Sequence, residues 1–171
     1  MKKDQGPLRG VATRTFKPAP RPDRDQFKGV GLTPAQKEEF QKLGVLTVEN
    51  AVTGDLLGRL RAAVDRLHAL AAGKKYIEKD GFLFLTNCVV EDDVFLELME
   101  NPATFPLVWD MLGWNIFLYH SHLNVTPPAP ADAKREKKTL GWHQDSGRVN
   151  MDLEEHPRPR VSLKVAYWLT D

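Results

Sequence analysis

The apolar positions in the first two thirds of the chain recur mostly at helical spacing. Thr33 before Pro34, with Gln36 three residues into the segment, is typical of a capped helix start, and Gly44 predicts the end of that helix. A longer helix is predicted from about Gly54 to Gly73. Its apolar face consists of Leu56, Leu60, Val64, Leu67 and Ala71. Two shorter helices are predicted over Asp92–Met99 and Thr104–Leu112.

Shorter apolar runs and alternating patterns predict the strands. Val45–Val48 and Phe82–Leu85 are apolar runs of strand length, and Val161–Leu169 alternates. The segment from Asn115 to Val125 also alternates, and one of its faces changes from apolar to polar along its length. The members of that face are Ile116, Leu118, His120, His122 and Asn124. Such a face suits the interior of a barrel that is packed at one end and open to a ligand at the other.

Three segments lack such periodicity. Residues 1–31 are basic and rich in proline with few large apolar side chains, so we expect a disordered tail. Residues 126–138 combine prolines with a charge run, and residues 146–160 form a second stretch of similar length. We interpret both as surface loops that flank the candidate site and cover a substrate.

Composition narrows the class of protein. With 171 residues and 42% hydrophobic content, we expect one globular domain over residues 32–171. The net charge is only +1, from 24 basic and 23 acidic side chains, so we expect neither a nucleic-acid nor a membrane partner. A single cysteine, Cys88, forms no internal disulfide, and no apolar run approaches the roughly 20 residues of a membrane span. We therefore expect a soluble, cytoplasmic protein.

Candidate chemistry is concentrated in the stretch Gly141-Trp142-His143-Gln144-Asp145. In an extended segment, the side chains of His143 and Asp145 point to the same face. An imidazole nitrogen and a carboxylate oxygen can then bind one metal ion, as two of the three ligands of the 2-His-1-carboxylate triad of non-haem iron oxygenases.

Two other interpretations remain open from these residues alone. His120, His122 and His143 could bind one zinc ion, with Asp145 as a fourth ligand or as an orienting group, and activate water for hydrolysis. That arrangement requires the two histidine-bearing strands to be neighbours. A catalytically silent module that keeps the fold without a complete ligand set is the third possibility.

Several motifs, in this order, resemble the phytanoyl-CoA dioxygenase family. They are Leu32–Gln36 with Phe40 and Gly44, Met111-Leu112-Gly113, His120–Pro128, Trp142–Asp145 and Val165–Asp171. The last two are specific at this spacing, whereas the earlier ones count only together. The resemblance covers almost all of the chain from residue 32 onward.

The resemblance implies a mainly β fold with N-terminal helices, in which a double-stranded β-helix, or jelly roll, follows the helices from about residue 115. It further implies an Fe(II)- and 2-oxoglutarate-dependent dioxygenase that uses O₂ to hydroxylate a small-molecule substrate. By the same match, His143 and Asp145 are two iron ligands. His122, Asn124 and Trp168 fall at positions that line the cosubstrate pocket in relatives.

Two departures from the family pattern bear on the site. Thr126 stands close to where relatives commonly have a lysine, so a different donor must hold 2-oxoglutarate. The family's second iron-binding histidine and its 2-oxoglutarate-binding arginine lie downstream of the position matched by Asp171. We therefore expect the front half of the barrel here, as an excerpt of a longer enzyme.

Overall fold

The computed structural model describes residues 31–71, 81–113, 115–128, 143, 145, 147–153 and 160–170. Their elements, in order, are α1 (Pro34–Leu43), α2 (Gly54–Ala71), β1 (Leu83–Thr86), a 3-10 turn (Cys88–Val90), α3 (Val94–Met99), α4 (Phe105–Leu112), β2 (His122–Val125) and α5 (Gly147–Asp152). The tail over residues 1–30 and most of the loop over 126–138 lie outside the described residues. No helix in the described ranges is long and apolar enough to cross a membrane.

Helix α1 begins and ends where its sequence signals predict. The Thr33 hydroxyl accepts a hydrogen bond from the Gln36 amide at 3.2 Å, and the Gln36 side chain accepts one from the Thr33 amide at 2.9 Å. Gly44 ends the helix in the left-handed conformation, with φ +72°, and its N–H donates to the Phe40 carbonyl. None of the helix residues is buried, so these caps hold much of its local stability.

The hydrophobic core forms where α2 packs against β1 and α3. The buried stripe on α2 has the predicted helical spacing and consists of Leu60, Ala63, Leu67 and Ala71. Their partners in the core include Leu83, Leu85, Cys88, Val94 and Phe95. Complete burial of a leucine side chain contributes about 2 kcal/mol relative to exposure, so the fully buried leucines of α2 and β1 carry much of this contact.

Strands β1 and β2 form a two-stranded antiparallel sheet. Leu83 lies opposite Val125 and Leu85 opposite Leu123, and these apolar pairs face the core. On the other face, Phe84 lies opposite Asn124 and Thr86 lies opposite His122. The alternation expected for His122 and Asn124 is therefore present in β2, and both side chains lie on the face of the sheet away from the core.

The segment over residues 160–170 contacts helices α2 and α3 through its last residues. The Tyr167 hydroxyl donates to the Leu98 carbonyl at 2.9 Å, and Leu169 packs against the core. The Nε–H of Arg61 donates to the Leu169 carbonyl at 2.5 Å. Lys164 and Trp168, in the same segment, are both exposed.

Several strand predictions differ from the structure. Val45–Val48 forms no strand, residues 115–121 lie outside the ladder, and Val161–Leu169 pairs with no strand among the described residues. A strand needs a partner for its backbone groups, and sequence alternation does not say whether that partner exists. The jelly roll stays a prediction, since the described elements are helices and one small sheet.

Candidate functional site

His143 and Asp145 lie close together, although not on a strand. Asp145 is in a turn just before α5, within the stretch for which the sequence predicted a strand followed by a loop. The Nε2 atom of His143 lies 3.4 Å from Oδ1 of Asp145, and both side chains are exposed. The sequence predicted that His143 and Asp145 would be close because side chains two residues apart share a face of a strand. In the structure, a turn brings them together instead.

His143, Asp145 and Lys164 form a charged cluster, with Asp145 in contact with both of the others. Its ammonium group contacts Oδ2 of Asp145, the carboxylate oxygen not facing His143. The hydrogen bond and the positive charge of Lys164 lower the pKa of Asp145, and His143 lowers it further. Asp145 is therefore an ionised oxygen donor at neutral pH, which is the state that a metal ligand requires.

The separation of the two donor atoms fits a shared metal ion. Ligands about 2.1 Å from one metal lie roughly 3.0 Å apart at a right angle and roughly 3.4 Å apart at a tetrahedral angle. The 3.4 Å between His143 Nε2 and Asp145 Oδ1 lies at the upper end of that range. One imidazole and one carboxylate are also the donor types that the iron triad combines. The pair thus fits two positions of such a site.

His120 and His122 form a pair of their own. Their Nδ1 atoms are 3.3 Å apart, a distance at which one ring donates a hydrogen bond to the other. The His122 ring also packs against Phe84, with the ring centroids 5.4 Å apart. Burial lowers the pKa of His122, and electrostatic interactions with His120 and Lys164 lower it further, while Asp145 opposes them. We infer that His122 is a neutral imidazole at pH 7, able to donate or accept a hydrogen bond.

The three-histidine zinc site is not assembled among the described residues, which include all three of its proposed ligands. No group of three or more histidine, cysteine, aspartate or glutamate side chains is placed to hold a metal ion within these ranges. His120 and His122 pair with each other, and His143 pairs with Asp145. The geometry therefore gives a local zinc hydrolase no support.

His122, Asn124 and Trp168 were expected to line one cosubstrate pocket, and no contact in the described part of the chain joins all three. His122 lies within electrostatic range of Asp145 and Lys164. Asn124 is exposed on the outer face of β2, and 82% of Trp168 is exposed. Among the described residues, Asp145 has ion pairs with His143 and Lys164, and neither Asn124 nor Trp168 hydrogen-bonds to it.

A pocket of about 230 Å³, lined by both apolar and polar groups, opens beside His120. Its walls combine Asn87 and Ser121 with Glu91, which is only 1% exposed. Tyr119 and Leu118 contribute its apolar part. The volume is slightly below the usual range for drug-sized ligands, so this pocket suits a small molecule or one end of a larger one.

Lys164 is the residue at the cluster that the sequence reasoning missed. The alternating pattern of residues 161–169 contained a usable signal, because Lys164 and Trp168 are four residues apart and share a face in an extended segment. No local pattern, however, connects position 164 with position 145.

No protein-family model, curated protein or solved structure matches this chain.

Proposed function

We propose that this protein is an Fe(II)- and 2-oxoglutarate-dependent dioxygenase that hydroxylates a small-molecule substrate. The observation that carries the proposal is the 3.4 Å approach of His143 Nε2 to Asp145 Oδ1, within a motif that resembles the phytanoyl-CoA dioxygenase family. A cytoplasmic location is part of the proposal and agrees with the single cysteine, Cys88, being buried and free.

In this proposal, His143 and Asp145 hold the iron as two of its three protein ligands, and the third is a second histidine. When bound, iron and 2-oxoglutarate activate O₂ for C–H hydroxylation, with release of succinate and CO₂. The chain's own groups bind and orient the reactants. Asp145 contributes negative charge, because its carboxyl stays ionised beside Lys164. His122, Asn124 and Trp168 shape the cosubstrate site.

Succinate formation in the full-length protein tests the proposal. We expect wild-type protein to convert 2-oxoglutarate to succinate only when Fe(II) is supplied. His143→Ala and Asp145→Asn should each abolish this turnover, because each removes one ligand from a three-ligand site. Asp65→Asn is the matched control, since Asp65 is an exposed aspartate on α2 and is not one of the proposed metal ligands. Succinate formation at the wild-type rate by His143→Ala would show the assignment to be wrong.

Metal affinity separates this function from zinc hydrolysis. Two ligands form a poor site, so we expect the 171-residue chain to bind Fe(II) or Co(II) weakly, with the affinity lost in His143→Ala. His120→Ala and His122→Ala should leave that weak affinity within about threefold. Complete loss of metal binding in both of these variants would favour a three-histidine zinc site instead.

A further inference from the structure

Lys164 stands at the candidate metal site without a role in the ligand set. Its ammonium group contacts Asp145 Oδ2, and its charge also lowers the pKa of His122. It therefore contacts a proposed iron ligand and acts electrostatically on a residue expected to line the cosubstrate pocket. The side chain is 60% exposed, so its flexible four-carbon stem has room to reorient.

The nearby described cations on the same part of the chain have other partners. Arg148 pairs with Asp152 within α5, at 3.5 Å. The guanidinium of Arg160 lies over the Phe40 ring, 5.5 Å from its centroid. Lys164 is the cation whose contact is with the candidate site itself.

A metal ion and the Lys164 ammonium require the same carboxylate. In the structure, His143 faces Oδ1 of Asp145 and Lys164 faces Oδ2. A divalent cation bound between His143 and Asp145 would neutralise that carboxylate and repel the ammonium at short range. The Lys164 ammonium would then be available to another anion, and the dicarboxylate 2-oxoglutarate brings two carboxylates.

We propose that Lys164 changes partner during loading of the site, from the Asp145 carboxylate in the metal-free protein to a carboxylate of 2-oxoglutarate once metal is bound. This inference rests on the proposed function. It supplies the cosubstrate donor that Thr126 cannot provide, since a threonine hydroxyl carries no positive charge. Trp168, four residues further along the same segment, is 82% exposed.

The test measures metal and 2-oxoglutarate binding separately in the full-length protein without O₂. Mn(II) replaces iron, its affinity is measured by titration, and 2-oxoglutarate binding to the Mn(II)-loaded protein is measured by calorimetry. Lys164→Met removes the charge at similar length, and Lys164→Arg retains it. Lys42→Met, on the exposed last turn of α1, is the matched control.

We expect Lys164→Met to weaken 2-oxoglutarate binding at least tenfold and to strengthen Mn(II) binding about threefold, because the competing cation is gone. Lys164→Arg should recover most of the 2-oxoglutarate affinity, and Lys42→Met should change neither constant. If Lys164→Met changes only the Mn(II) affinity, Lys164 is a counter-ion of Asp145 and the partner change is refuted. If wild-type protein binds Mn(II) but no 2-oxoglutarate, both this inference and the proposed function fail.

Discussion

The hydroxyl of Tyr167 connects the segment that carries Lys164 to the helices through hydrogen bonds. Removing this hydroxyl should therefore destabilise the protein. The hydroxyl donates to the Leu98 carbonyl at 2.9 Å, so the Thr104 hydroxyl, 2.5 Å away, donates to Tyr167. Tyr167→Phe removes both hydrogen bonds without removing the ring. At about 1 kcal/mol for each bond, the free energy of unfolding should fall by about 2 kcal/mol.

The loss of stability in Tyr167→Phe would be larger if the Leu98 carbonyl or the Thr104 hydroxyl were left buried without a partner. The Leu98 carbonyl also accepts the Asn101 N–H, at 3.4 Å, so it keeps a partner in the variant. Thr104 is 8% exposed, and its hydroxyl rotates about the Cβ–Oγ1 bond, so it is not fixed towards the lost acceptor. We therefore expect no large additional penalty from a buried polar group, and the estimate stays near 2 kcal/mol.

Urea denaturation of wild-type and Tyr167→Phe protein measures this difference directly, and the melting temperature should fall by about 4–8 °C. Tyr119→Phe is the control, because Tyr119 is 60% exposed. Thr104→Val combined with Tyr167→Phe should cost less than the sum of the two single changes, since both remove the same bond. A loss below about 0.5 kcal/mol in Tyr167→Phe would refute this account of how the segment is held.

Three further predictions concern pH, capping and the core. Burial raises the pKa of Tyr167 despite the opposing hydrogen bond from Thr104. The stabilising contribution of the neutral phenol is therefore complete below about pH 10 and lost as the pH rises through the raised value, so alkaline denaturation should be weaker in Tyr167→Phe. Thr33→Ala should cost α1 about 1 kcal/mol, seen as faster amide hydrogen exchange in its first turn, with Thr47→Ala as the exposed control. Leu67→Ala should lower the free energy of unfolding by about 3 kcal/mol in urea denaturation, whereas Leu70→Ala on the same helix, where the side chain is 42% exposed, should cost under about 1 kcal/mol. Equal losses in the two leucine variants would contradict the assigned core face.

The helices were predictable because their signals are local. The capping residues of α1 and the apolar spacing of α2 lie within a few residues of the structure they determine, and both helices were found close to the predicted bounds. The strand near Phe82–Leu85 was also found, as β1 over Leu83–Thr86. The short helix α5 was missed, although Ser146 stands at a capping position just before it, because Gly147–Asp152 is only six residues long and too short to show a helical apolar period.

The candidate site was predictable only in part, for a physical reason. His143 and Asp145 are two residues apart, and side chains at that spacing can lie close together in a strand or in a turn. The sequence therefore predicted that they are close, but not the backbone conformation that brings them together. The contact between Lys164 and Asp145 depends instead on how Tyr167 and Leu169 dock on the helices. That docking holds the segment that carries Lys164. Tyr167→Phe weakens the docking of this segment, so it should also weaken the ion pair between Lys164 and Asp145 and raise the metal affinity. Neither of the hydrogen bonds lost in that variant involves His143, Asp145 or Lys164.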